Sequence, residues 1–192
     1  MKRKTTASPS EPAKRLRVDH EGVDLVKFKS LHEQAEPYLL ATAKFRIEAL
    51  TSTWSLGSNR QIHESHVQSL CRIFEEQGLQ REPVENHLLI ACTRDEVQRM
   101  VAHLEQTGHN RSEWEGSPPS WPSFHDWMSV NGSKAEVMAG QHRVEALKLY
   151  LRRISSNHPG AHAFEKYQSW WICDIYDKGE DKYDLQSLSW LN

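Results

Sequence analysis

Four consecutive residues, Gly140, Gln141, His142 and Arg143, bring a glycine, an amide, an imidazole and a guanidinium together in the stretch VMAGQHRVEAL. The residues before Gly140 are small and apolar. Those after it place Val144, Leu147, Leu151 and Ile154 at helical spacing. This change of period predicts a strand ending near Ala139 and a helix starting near Gln141. The first turn of a helix carries backbone N–H groups without intrahelical partners and the positive end of the dipole. Gly140 lets a ligand approach the backbone closely. Arg143 can fork onto phosphate oxygens, and His142 can donate to a phosphate or stack beside a base. The combination predicts an anion cradle, most naturally for phosphate. The plain alternative is a strand–helix turn whose arginine pairs with a surface carboxylate, with His142 facing the core and Gln141 only steadying the helix start.

Other residue types with chemical potential are less organised. Eleven histidines raise the question of metal. His63 and His66 lie at i, i+3, and His158 and His162 flank a Pro-Gly turn. Neither pair has the spacing of a His-Glu-x-x-His or Cys/His finger site, so no metal ligand is assigned. Glu48, Glu64 and Glu136 are carboxylates that could approach the box, Arg46 and Glu48 lie on the polar side of the first strand, and Arg60 lies before the first helix. None is assigned a catalytic role. Seven tryptophans offer faces for base stacking, but they more often fill cores or pin loops.

These groups need elements to hold them. Ala43, Phe45, Ile47 and Ala49 alternate with polar residues, predicting a strand over Ala41–Ala49. Val67, Leu70, Cys71 and Phe74 predict a helix that Gly78 closes in a left-handed conformation. Residues 86–92, NHLLIAC, read as a buried strand. Thr93 and Glu96 have capping-box spacing ahead of a helix with Val97, Met100, Val101 and Leu104 inward and Gly108 as terminator. Residues 108–134 read as a long loop broken by Pro118, Pro119 and Pro122, with one helical turn at SFHDWM. Ala135–Ala139 is a short strand, the helix after Gln141 ends at Asn157–Gly160, and SWWICDIYD (169–177) is the last strand. The expected fold is a mixed α/β (α+β) domain, a small mixed sheet flanked by helices.

The 192 residues carry 24 Lys and Arg against 26 Asp and Glu, a formal charge of −2. That near-neutral balance argues against a chain that coats nucleic acid through bulk charge. Residues 1–22 differ. They are rich in Lys, Arg, Ser, Thr and Pro and too poor in apolar residues to offset ordering entropy, which predicts a disordered tail. Lys2, Arg3 and Lys4 form one basic cluster, and Lys14, Arg15 and Arg17 a second. The pair resembles a bipartite nuclear localisation signal, which implies a nuclear import receptor as partner and the nucleus as location, the cytoplasm being the alternative. Cys71, Cys92 and Cys173 are too few and too scattered for a disulfide framework. No apolar run reaches the ~20 residues of a membrane span, and no secretory signal opens the chain.

The phrase AGQHRVEAL resembles the G-x-[HR]-R box of the ParB/sulfiredoxin superfamily, where it sits between strand and helix and cradles nucleotide phosphates. The preceding strand and the helix NRQIHESHVQSLCRIFEEQG are similar in order. VMAGQHRVEAL and WWICDIYD resemble phrases of ParB-like proteins of filamentous fungi, and the likeness covers roughly residues 38–177. The resemblance implies a ParB/sulfiredoxin-like domain over residues 23–192 that binds a nucleotide, ATP or CTP, at Gly140, Gln141, His142 and Arg143, with Mg²⁺ if it is catalytic. Gln141 stands where sulfiredoxins carry their attacking cysteine, and Ala139 where the free-serine kinases carry an aspartate, so neither chemistry transfers. The chain ends about 50 residues after the box, without room for the DNA-reading helices of partitioning ParB proteins, and its C-terminus reads as truncated or divergent. The resulting expectation is nucleotide or phosphate binding, with NTPase or phosphoryl-transfer activity left open. The alternative is a non-catalytic nuclear module, associated with protein or DNA, that has lost the nucleotide. Nuclease activity is a third hypothesis.

Overall fold

A computed structural model describes residues 35–109, 121–157 and 168–179. A 3₁₀ turn at Glu36–Tyr38 leads into β1 (Leu39–Arg46), and β2 (Leu50–Thr51) follows after a second turn at Ile47–Ala49. Then come α1 (Glu64–Gln77), a third turn at Val84–Asn86, β3 (Leu88–Cys92), α2 (Arg94–Gln106), α3 (Trp127–Asn131), β4 (Ala135–Ala139), α4 (Gln141–Asn157) and β5 (Trp170–Asp177). The five strands form one mixed sheet in the order β1-β5-β3-β4-β2. β5 runs antiparallel to β1 and parallel to β3, β4 antiparallel to β3, and β2 parallel to β4. The fold is the expected mixed α+β class.

The apolar stripes of the helices meet one face of this sheet. Val67 and Phe74 of α1, Met100 and Leu104 of α2, Trp127 of α3, and Val144, Leu147 and Leu151 of α4 share a core with Phe45, Ile90, Val137, Trp171, Cys173 and Ile175 from the strands. The opposite face carries a smaller cluster of Ala35, Trp54, Ala91, Met138 and Tyr176. β5 sits inside the sheet with apolar cover on both sides. Six of its eight residues are buried, which is why it reads as an unbroken apolar run rather than an alternation.

Two boundaries differ from expectation. The strand expected over Ala41–Ala49 is β1 only to Arg46. Ile47–Ala49 turns in 3₁₀ conformation and delivers Leu50–Thr51 to the far edge of the sheet beside β4. Ile47 and Ala49 are both buried, so the alternation of buried and open positions continues through a bend it cannot reveal. Gly78 does close α1 with a positive φ of 78°, but its ψ of 178° lies outside the left-handed helical region. The helical turn expected at SFHDWM lies slightly later, at α3, and Gly132 caps it in left-handed conformation. The capping box is present as read: the Glu96 amide donates to Thr93 Oγ1 at 3.2 Å and the Thr93 amide to Glu96 Oε2 at 2.8 Å. The three cysteines are buried free thiols. Among the described residues no helix is long and apolar enough to cross a membrane.

Candidate functional site

The strand–helix junction forms as the sequence predicts. β4 ends at Ala139, Gly140 turns with φ +97°, and α4 begins at Gln141. A side chain at Gly140 would meet Leu88 well inside van der Waals contact, so both the backbone angle and the space select glycine. The Gly140 carbonyl accepts from the amides of Arg143 (2.9 Å) and Val144 (3.2 Å). Gly140 has no side-chain oxygen to cap the turn. Among the described residues, the amides of Gln141 and His142 find no acceptor. α2 contrasts sharply, because its capping box satisfies its own first turn. The helix at Arg94 is closed by its own side chains, whereas the helices at Glu64 and Trp127 begin without a side-chain cap.

The three side chains after Gly140 leave α4 in different directions. Successive helical residues are ~100° apart, so Gln141 and Arg143 diverge by ~200°. Gln141 is buried, and its Nε2 donates to the Arg60 carbonyl. Arg143 turns the other way. Its Nη2 donates to the Glu85 carbonyl at 2.9 Å and to Asn86 Oδ1 at 3.2 Å. Burial pulls its pKa below the usual arginine value, with Glu85 opposing. Asn86 in turn donates to the Gln80 carbonyl and accepts from the Trp171 indole. Arg143 thus braces the turn before β3. The expected convergence of all four box residues on one anion does not occur, for the geometric reason just given. Arg143 is not tied to a surface carboxylate either.

His142 faces a different neighbourhood. Its Nε2 accepts the His63 backbone N–H at 3.1 Å. Its ring lies parallel to that of His63, centroids 6.1 Å apart, and edge-on to that of His66 at 4.9 Å. His63 is the N-cap of α1, so this helix also begins here. Arg153 of α4 reaches Glu75 and Gln68 of α1, and Tyr150 meets Phe74. The two helices therefore run side by side in the same sense, and their N-termini share the histidine cluster. His142 has its pKa held below the ordinary histidine value, first by burial and then by His66, His63 and Arg60. Among the described residues no carboxylate acts on it. Glu64, in the first turn of α1, is exposed and accepts from Gln68. Arg60, His63 and His66 are all exposed, so the cluster is open to solvent.

The segment between β2 and α1 straps across the end of β4 and brings Arg60 and His63 to the junction. Asn59 Nδ2 donates to the carbonyls of Ser52 (2.6 Å) and Val137 (2.8 Å). The amide and hydroxyl of Ser55 donate to Glu136 Oε2 at 2.7 and 2.8 Å, and Lys178 Nζ pairs with Glu136 Oε1. Trp54 anchors the strap in the minor core against Gly57, where no side chain would fit. Glu136 is thus committed to the strap. The strap has no apolar period, so periodicity gives no sign of this role.

A second polar constellation is invisible to periodicity. Thr42 Oγ1 donates to Asp174 Oδ1 at 2.6 Å, and His87 Nδ1 lies 3.1 Å from both Asp174 oxygens. His87 Nε2 lies 3.1 Å from the Glu82 carbonyl, and the Trp121 ring meets the imidazole edge-on at 5.1 Å. His87 and Asp174 are buried. A nucleophile needs the imidazole between hydroxyl and carboxylate. Here the carboxylate stands between the other two, so the trio ties β1, β5 and the start of β3 together rather than activating Thr42.

Among the described residues no three His, Cys, Asp or Glu side chains are grouped to hold a metal. Lys2, Arg3, Lys4, Lys14, Arg15 and Arg17 lie outside the described residues, as do His158, His162 and Trp114. A family model described as protein of unknown function (DUF3723), N-terminal domain, matches residues 39–189. No curated protein and no solved structure matches the chain.

Proposed function

We propose that this chain, which belongs to the DUF3723 N-terminal-domain family, binds the phosphate groups of a nucleotide at the start of α4. The observation that carries the reading is the imidazole cluster around His142, with Arg60 the nearby fixed cation acting on it. Two helix N-termini, three imidazoles and the Arg60 guanidinium meet there with no carboxylate acting on the central ring. Such a cluster offers an anion donors that become charged as it binds, beside the positive ends of two helix dipoles. Gly140, at φ +97°, sets the turn from which the amides of Gln141 and His142 project. A phosphate oxygen arriving between His142 and His63 favours the imidazolium, which turns Nε2 from acceptor into donor and releases the His63 amide as a second donor. The roles within the box then differ from a simple cradle. His142 contacts the anion, Gly140 shapes the turn, Gln141 holds the strap that carries Arg60, and Arg143 braces the turn behind.

The strand-box-helix order around Gly140 supports the ParB/sulfiredoxin-like reading of the fold. The donor set does not fit a protein-bound Mg²⁺, since no metal-ligand group occurs among the described residues and Glu136 is engaged with Lys178 and Ser55. No hydrolytic or transfer step is assigned to any residue. Calorimetric titration with ATP and CTP, with and without Mg²⁺, tests the proposal, using His142→Ala and Arg60→Ala as the discriminating variants.

A specific observation favours a second reading, that of a nuclear protein- or DNA-associated module without nucleotide. His142 and Gln141 are satisfied within the protein, and the recess beside Gln141 measures only about 20 Å³, room for one water. A silent titration by a folded protein selects this reading. The basic clusters at 2–4 and 14–17 support import by a nuclear import receptor under either reading. Loss of nuclear accumulation on replacing Lys14, Arg15 and Arg17 by alanine checks this.

A further inference from the structure

We propose that the recess between the 79–83 turn and Trp170 is a second ligand site, taking the oxyanion head of a small phosphate monoester or carboxylate on the Arg81 guanidinium. Arg81 follows α1, at the opposite end of that helix from the histidine cluster. It is only 8% exposed. Its terminal nitrogens donate to Gln168 Oε1 at 3.0 Å and to the Gln168 carbonyl at 2.7 Å, both neutral acceptors. Its Nε is buried without a partner. The guanidinium lies 4.1 Å from the Trp170 ring centroid and 5.6 Å from that of Trp171, and Lys44 Nζ stands 5.5 Å from Trp170. Two cations therefore face one indole, and among the described residues no carboxylate pairs with Arg81.

A buried arginine ordinarily carries a counter-ion, because an unpaired charge out of water is among the costliest features a fold can hold. Burial draws the pKa of Arg81 down to about 10, with Tyr150 opposing. The recess beside it is a shallow depression open to solvent, with a volume of about 610 Å³. Leu79, Gln80, Glu82 and Pro83 complete its lining. Glu82 is exposed and is not among the groups acting on Arg81. An oxyanion at the guanidinium edge supplies the missing charge and lies within the field of Lys44.

The full chain, labelled with ¹⁵N at its indoles, is titrated with inorganic phosphate, phenyl phosphate and benzoate, following the Trp170 resonance assigned through Trp170→Phe. The expected result is a saturable shift with at least one probe, and which probes bind tells phosphate from carboxylate recognition. Arg81→Lys, which loses the fork and the stacked plane, weakens the response about tenfold or more. Lys44→Gln, a change remote from the core, weakens it about two- to fivefold. His142→Ala leaves it unchanged, which separates this site from the α4 junction. No saturable shift with any probe, a shift indifferent to both Arg81→Lys and Lys44→Gln, or a shift abolished by His142→Ala overturns the proposal.

Discussion

The His63 amide donates to His142 Nε2 at 3.1 Å, joining the first residue before α1 to the second residue of α4. In this state Nε2 is an acceptor, so the ring is neutral and carries its proton on Nδ1. The bond holds two helix starts together. It also makes the proton on His142 and the presence of an anion mutually dependent, because an imidazolium cannot accept from His63.

Anion affinity at this junction rises as pH falls. Free His142 sits below the ordinary histidine pKa through burial and its cationic neighbours. A bound dianion favours the charged ring, so binding takes up a proton and strengthens from pH ~8 towards pH ~5.5. Sulfate, a dianion across this range, isolates the effect from ligand titration. His142→Ala flattens the profile; an equally steep profile in that variant contradicts the assignment. The same depressed pKa adds stability that is complete above the ordinary histidine value and is lost as pH falls through the lowered one.

Gly140→Ala destabilises the fold by about 1–3 kcal/mol, since alanine at φ +97° is strained and its Cβ overlaps Leu88. Chemical denaturation measures it. A variant within ~0.3 kcal/mol of the parent shows that the turn relaxes freely.

Arg143→Ala acts on stability rather than on the ligand. Losing its bonds to Glu85 and Asn86 costs about 1.5–3 kcal/mol. The affinity of the folded fraction for nucleotide stays within about twofold, a difference below ~0.5 kcal/mol. A tenfold affinity loss with an unchanged melting temperature reverses this assignment and returns Arg143 to the phosphate.

Asp174→Ala leaves His87 and Thr42 without their shared acceptor, which costs about 2–4 kcal/mol. Thr42→Val removes one neutral donor and costs about 1 kcal/mol. Equal effects of the two changes rule out the carboxylate as the centre of the tie.

The helices were legible because their signals are local. Thr93 and Glu96 lie within one turn, and the stripes of α1, α2 and α4 repeat within four residues. The glycine turn at 140 was legible for the same reason. The end of β1 was not, since Ile47 and Ala49 stay buried through a 3₁₀ bend. The divergence of Gln141 and Arg143 follows from helix geometry alone, although reading the four box letters as one cradle conceals it. The strap from Ser52 to His63 has no period, and its bonds to Glu136 and Val137 span about 80 residues. The Thr42–Asp174–His87 tie spans up to 132. Pairings of that range depend on sheet order, which no short window of sequence contains.

Titration of the intact chain with ATP and CTP, set beside His142→Ala and Arg60→Ala, tests the central claim most directly. The account predicts saturable binding by the parent, weakened about tenfold or more in each variant, with folding intact as judged by circular dichroism. Binding that survives both substitutions undiminished, or no binding by a folded parent, contradicts it.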